Sequence, residues 1–197
     1  MTLEAAMPRR TRSVPANRSL RALRVFLALT FTALAHGGAT ISLAGYQGSP
    51  DTKMLVQLRQ LFPSAGGFSG RTGTPPHLEA YSSQNPPREL LGYAVWTTDL
   101  DPLERGYDGP IKVLVGVDLR GAITGVVVVD HHEPYGYFSV DLPEFATQFA
   151  GKSLRDPFKV GDDVDAVSRA TLTVTSATRA IRNSARRLAT ALIRPPQ

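Results

Sequence analysis

Asp165-Ala166-Val167-Ser168-Arg169-Ala170-Thr171 is the stretch of this chain whose residue types could do chemistry. Two hydroxyls, Ser168 and Thr171, stand beside the small Ala170 at the entry to a segment of helical periodicity, and Thr173 follows two residues on. A threonine hydroxyl in that position can attack an activated phosphoryl donor and end as a phosphoester. Such a site needs an exposed turn, small neighbours that let backbone approach the phosphate, and donors for the remaining charge. The helix N-terminus offers unpaired N–H groups and a favourable dipole, and Arg169 can add a charge-assisted bond. Asp165 cannot favour a phosphate by its own charge; its expected part is to fix the turn by accepting backbone N–H bonds, or to orient the threonine hydroxyl. The same residues also fit a Ser/Thr-rich cap leading into a helix, and residue type alone leaves both readings open.

The elements that must position this stretch can be read from periodicity. Met54, Leu55, Leu58, Leu61 and Phe62 fall at helical spacing after Asp51, and Pro63 stops the run. Residues 64–87, rich in Gly, Ser and Pro, read as a loop with one short strand near His77 to Tyr81. Strands are predicted at 90–97, 111–118 and 123–130. The last two are joined by Leu119-Arg120-Gly121-Ala122 and make the best hairpin in the sequence. The unbroken Val126 to Val129 run suggests a strand covered on both faces. Pro143 opens a short helix predicted to reach Ala150, with Gly151 ending it. Beyond the Asp165 segment, Ala177, Ala180, Ile181, Ser184, Ala185, Leu188 and Leu192 share one helical face, with Arg179, Arg182 and Arg186 largely off it. The expected fold class is α+β, a mostly antiparallel twisted sheet flanked by helices.

A chain of 197 residues with 42% hydrophobic composition has room for one domain and a targeting segment. The formal charge of +5 is misleading until it is located. Six arginines and Glu4 within the first 24 residues account for all of it, and the remainder balances. A duplex-binding surface therefore has little support, and no nucleic-acid partner is expected. The arginine-rich start runs into an apolar stretch from Val25 to Ala35, which has the length of a secretory signal core, and Ala33-Leu34-Ala35 supplies a cleavage pattern. An uncleaved anchor is the rival, because no charge appears from Val25 through Gln47. Both readings put residues 1–47 into a signal peptide or membrane anchor and 48–197 into the folded domain, on the periplasmic or extracytoplasmic side. With no cysteine, the chain can hold neither a disulfide nor a thiolate-ligated iron–sulfur, haem or zinc centre.

Other residues offer chemistry more weakly. His131-His132-Glu133 invites a metal, but adjacent side chains on an extended segment point to opposite faces, so no metal site is expected. Tyr135, Tyr137 and Phe138 can either cover a planar ligand or shield a domain edge. Gly106-Tyr107-Asp108-Gly109-Pro110 reads as a tight turn into the hairpin, or as the wall of a site. Trp96 belongs to a predicted strand and to the core. No Ser/His/Asp nucleophile set, P-loop or dinucleotide fingerprint stands out, and no carboxylate pair suits acid–base work.

Several blocks in order carry a resemblance. They are Leu61-Phe62-Pro63, Leu91-Gly92-Tyr93-Ala94-Val95, Gly106 to Ile111 with Leu114 to Asp118, Gly121 to Gly125, His132-Glu133-Pro134, and Asp165 to Thr171. From about Leu61 to Leu188 the chain resembles the FMN-binding domains of the RnfG and NqrC subunits of ion-pumping oxidoreductases, and more closely the N-terminal domain of NosR-type membrane flavoproteins. The resemblance implies an exported electron carrier, not catalytic in its own right, with FMN attached covalently at Thr171 by a dedicated FMN transferase. It implies a cofactor site drawn from Thr171, Ser168, Ala170, Arg169, Asp165, Thr173, Glu133, His132 and Tyr107. Arg169 stands where the family most often has glycine, and an arginine disfavours φ > 0. It keeps alive an alternative, an exported regulatory or ligand-binding module of the same fold without covalent flavin. NosR-type proteins continue into membrane helices and cysteine-rich segments, so the redox partners are expected to be separate membrane or periplasmic proteins.

Overall fold

The first helix starts where its capping chemistry says it should. In the computed structural model, which describes residues 49–193, the Asp51 carboxylate accepts the Met54 N–H at 2.8 Å and opens α1, Thr52–Leu61. The signal or anchor expected in residues 1–47 lies outside the described residues. Among those described, no helix is long and apolar enough to cross a membrane.

Five strands follow as an antiparallel sheet in sequence order: β1 Gly67–Phe68, β2 Leu78–Tyr81, β3 Leu90–Trp96, β4 Lys112–Asp118 and β5 Ile123–Asp130. The expected loop at 64–87 thus contains two strands where one was predicted. β1 escaped notice because its two residues carry no period, and pairing with Tyr81 and Ala80 alone defines it. The predicted hairpin is present. Asp118 holds its turn by accepting the Arg120 and Ala122 N–H groups at 2.9 and 2.8 Å, and Gly121 takes φ +79°.

β3 ends one residue short of the prediction. Thr97 leaves the ladder to begin a single helical turn, α2 Thr97–Leu100, and its buried hydroxyl bridges Ile111 O and Val113 N at 3.0 Å each. The helix predicted to run to Ala150 is also shorter: α3 spans Pro143–Thr147, with Phe149 and Lys152 N–H groups already bonding three residues back. The C-terminal helix, α4 Thr171–Leu192, matches its predicted face.

Alternation along the strands splits the core into two clusters. Val113, Val115 and Val117 point to the α4 side, where Val174, Ala177, Ile181, Ala185 and Leu188 cover them; Leu114 points to the α1 side, with Leu58, Leu61, Phe62, Ala94 and Trp96. The four valines of β5 divide likewise, Val126 and Val128 to one cluster and Val127 and Val129 to the other, so both faces of this edge strand are covered.

Leu61 and Phe62 sit in a trench of glycines that crosses three strands. A Cβ on Gly92 would fall 2.4 Å from Val117 O and 2.9 Å from the Phe62 ring; one on Gly116 would fall 2.3 Å from Thr124 Oγ1 and 3.1 Å from Leu61 and Phe62. Gly116→Ala is therefore expected to lose about 2 kcal/mol, the usual cost of overpacking a close-packed interior, as read by urea denaturation.

Candidate functional site

Three segments far apart in sequence meet at one carboxylate. Glu133, in the turn after β5, is only 6% exposed. It accepts the Tyr107 N–H at 2.9 Å, the Asp108 N–H at 3.0 Å and the Thr173 hydroxyl. Burial alone would push its carboxyl up, but these bonds, first that of Thr173, outweigh it and hold the group below the ordinary glutamate range. Gly106 explains why the turn can approach, since a Cβ there would lie 2.3 Å from Glu133 Oε1. The turn is closed by the Gly106 N–H donating to Gly109 O at 2.7 Å, with Gly109 at φ +122°.

α4 continues the connection down its length. Ser176 donates to Glu104 Oε1 at 2.7 Å and is also bonded to Arg105 O; Asn183 donates to Asp101 Oδ2 at 2.8 Å; Arg187 bonds Leu100 O and lies 3.2 Å from Asp101. The 100–108 segment is thus sewn to one polar stripe of the helix. Sequence reasoning missed Ser176, Asn183 and Glu104. The available signal was the i, i+3, i+4 recurrence of polar residues beside the apolar face, which a reading focused on hydrophobic periodicity passes over.

The stretch carrying Thr171 leads directly into this helix. Ala170 is the N-cap residue, no side chain caps the helix, and Val174 N–H makes the bond to Ala170 O. The opening N–H groups of α4 therefore lack intrahelical partners. Thr171, at the first helical position, is exposed, and its hydroxyl has only a long 3.4 Å contact to Val167 O. The hydroxyls of this segment do not form the helix cap that their composition suggested. Asp165 differs from expectation as well: it is exposed, and its N–H donates to Gln148 Oε1 at 2.7 Å, while the turn closes through Ala170 N–H to Val167 O at 3.1 Å.

Arg169 occupies φ +69°, the left-handed region that its side chain was expected to disfavour. The Ala170 and Thr173 anchors on either side of Thr171 are buried, and the backbone between Val167 and the helix has to turn there. Arg169→Gly is accordingly expected to stabilise the protein by about 1 kcal/mol by releasing this strain, measured by thermal unfolding.

Of the residues singled out by sequence, the structure joins Glu133, Tyr107 and Thr173 by direct bonds and sets Ser168, Arg169, Ala170 and Thr171 immediately before Thr173. His132 and Asp165 are exposed and make no side-chain bond among the described residues. It is His131 that is engaged, bonded to Asp141 Oδ1 at 2.8 Å and accepting the Glu133 N–H on Nδ1 at 3.0 Å. Tyr135 and Tyr137 remain exposed around Phe138, at 5.5 and 4.9 Å between ring centres. Leu103, Tyr107, Leu142 and Leu172 are likewise exposed apolar side chains on these segments.

Residues 106–186, which hold all these features except those at 100–105 and the end of α4, match the family model described as the FMN-binding domain. Among curated proteins the chain is similar to the RnfG-type component of the ion-translocating oxidoreductase complex. It is 33% identical to that of Vibrio vulnificus over 89 residues, which is 40% of this chain and 42% of the relative. The Escherichia coli K12 relative is 33% identical over 89 residues, with 40% and 43% covered. The Pectobacterium atrosepticum relative is 32% identical over 132 residues, with 62% and 59% covered. The chain thus spans less than two thirds of the length of these relatives.

Proposed function

We propose, from a chain that carries an RnfG/NqrC-like FMN-binding domain across residues 106–186, that this protein is an electron-carrying flavoprotein whose FMN is joined to Thr171 through a phosphoester. The observation that carries the reading is the uncapped start of α4. A 22-residue helix presents its unpartnered N–H groups beside an exposed threonine hydroxyl, with the exposed Arg169 two residues before it in sequence. That donor set suits a phosphodiester, which brings one negative charge and several acceptor oxygens.

Within this reading Thr171 supplies the linking oxygen and gives up its proton as the donor's leaving group departs. Ser168 and Arg169 hold the remaining phosphate oxygens together with the Leu172 and Thr173 N–H groups. Ala170 leaves room for the approach, and Glu133 holds the Tyr107 turn and Thr173 in place around it. Tyr107, Tyr135 and Leu172 give a planar ring an apolar surface to rest on. The flavin, when bound, supplies reversible electron transfer, and the protein's part is to orient it and set its surroundings.

The reading is supported at the position where the family most often has glycine, because the backbone at Arg169 holds φ +69°, the conformation glycine favours. Maturation by an FMN transferase, a place on the periplasmic side, and partners among separate membrane or periplasmic redox proteins belong to the same reading. The naming of the relatives as subunits of a complex supports partners of this kind. Co-expression of the full chain with an FMN transferase tests the core of it. The purified protein is expected to show flavin absorbance that survives denaturation and gel filtration, whereas colour lost with the unfolded chain would leave only non-covalent binding.

A further inference from the structure

On the flank of α4, beside the 157–160 turn, lies a cleft of about 450 Å³ that the flavin reading does not use. Its lining is Pro157, Phe158, Lys159 and Val160 on one side, and Thr175, Arg179 and Arg182 on the other. Three of these are cations and none is an acid. The balance of charge beyond residue 24 hides this concentration, because positive charge on α4 and the 150s is offset by acids clustered between Asp99 and Glu144.

The walls are held by specific bonds. Asp163 accepts the Phe158 and Lys159 N–H groups at 3.1 and 2.5 Å and the Lys152 ammonium at 3.2 Å. Arg186 donates to Leu154 O and Asp156 O at 2.8 and 2.7 Å and lies 5.9 Å over the Phe158 ring. Phe158 itself takes φ +52°, an unusual conformation for a bulky residue. Its ring stays in the core, 2% exposed and stacked on Phe149, while the next residue, Lys159, is thrown outward over the cleft. Backbone strain that serves only packing would be relieved by glycine; here it also delivers a cation.

The cations are lightly committed. Arg182 uses Nε on Asn183 Oδ1 at 3.2 Å, leaving its two terminal nitrogens with no hydrogen-bond partner among the described residues. Arg179 reaches Glu104 through Nε at 3.6 Å, and Lys159 approaches Asp162 only to 3.8 Å with both groups largely exposed. Contacts of that kind give way readily to a better acceptor. Guanidinium groups bind phosphate and carboxylate in a forked, directional way, and Thr175 can donate a further bond. The volume suits a small molecule, and Pro157 and Val160 offer it an apolar wall.

We infer that this cleft is a second binding site, separate from the Thr171 phosphate, which takes a small organic anion by its phosphate or carboxylate group. The inference stands whether or not FMN is attached at Thr171. Its test is an NMR titration of the full chain at fixed ionic strength, in both the Thr171→Ala protein and the flavin-loaded protein. The probes are ribose 5-phosphate, inorganic phosphate and succinate. Saturable shifts are expected at the Lys159, Val160, Thr175 and Arg179 amides in both proteins, with affinity reduced about tenfold by Arg182→Gln and similarly by Lys159→Gln, two changes that spare the core. A stronger response to ribose 5-phosphate or to succinate tells which anion the site favours. Shifts that never saturate, or that ignore both substitutions, would overturn the inference. So would binding confined to the flavin-free protein, because the cleft would then belong to the flavin. Absence of flavin from the wild-type chain would count against the Thr171 reading alone.

Discussion

Thr171→Ala is expected to abolish the covalent adduct while leaving the fold intact. Intact mass measurement after co-expression with an FMN transferase reads this directly: the wild-type chain gains one flavin mononucleotide phosphoester, and the variant shows its bare mass. The fold should tolerate the change because the Thr171 hydroxyl makes only a 3.4 Å contact at an exposed position, so the stability cost is within about 0.5 kcal/mol. Thr171→Ser, which keeps the oxygen, should retain some adduct. Thr173→Ala separates the two threonines: its hydroxyl is buried on Glu133, so its loss should lower stability first. An adduct that persists in Thr171→Ala would transfer the linkage to another hydroxyl, with the exposed Ser168 the first alternative, since Thr173 is buried.

Glu133→Ala has the largest expected effect on stability. It orphans two backbone N–H groups and the Thr173 hydroxyl in an interior setting, which costs about 3 kcal/mol. For a domain of this size that corresponds to a fall in melting temperature of roughly 10 °C. The pH dependence has a defined sign. The folded-state carboxyl sits below its usual value, so its contribution is complete above the unfolded value, near 4.5, and is lost as the pH falls through the depressed one. Denaturation of wild type and Glu133→Gln, compared from neutral pH downward, should show the gap between them closing only in that acid range. A gap that stayed constant would mean that the carboxylate's charge contributes nothing to the clamp.

Much of this arrangement could be read from residue pattern, for reasons that differ by element. The strands at 111–118 and 123–130 declare themselves because both are runs of apolar, valine-rich residues and Asp118 and Gly121 write the turn between them. α1 announces its start through Asp51. The glycine blocks were visible as glycines, but not as a trench: that Gly92 and Gly116 admit Phe62 follows from cross-strand pairing, which sequence spacing does not contain. Glu133 was singled out beside His132, yet only the fold distinguishes the buried clamp from its exposed neighbour. Arg169 shows the limit most clearly. Residue preference argued against φ > 0 there, and the fixed positions of Ala170 and Thr173 overrode it, since a local preference of about 1 kcal/mol yields to burial of a whole helix face.

The bonds that sew α4 to the rest of the domain have a consequence in time. Thr173 answers to Glu133, Ser176 to Arg105, Asn183 to Asp101 and Arg187 to Leu100, across separations of 40, 71, 82 and 87 residues. The sheet can zip up strand by strand as the chain emerges, because each strand pairs with the one just before it. The turn at Tyr107 and the carboxylate at Glu133 must wait for a helix translated after the whole sheet. Under the proposed linkage at Thr171, a modifying enzyme would find an ordered hydroxyl only once that helix had docked, so loading would report on a folded domain. Chains that stall or misfold would be left colourless, and the cofactor would be spent only on molecules that had already folded.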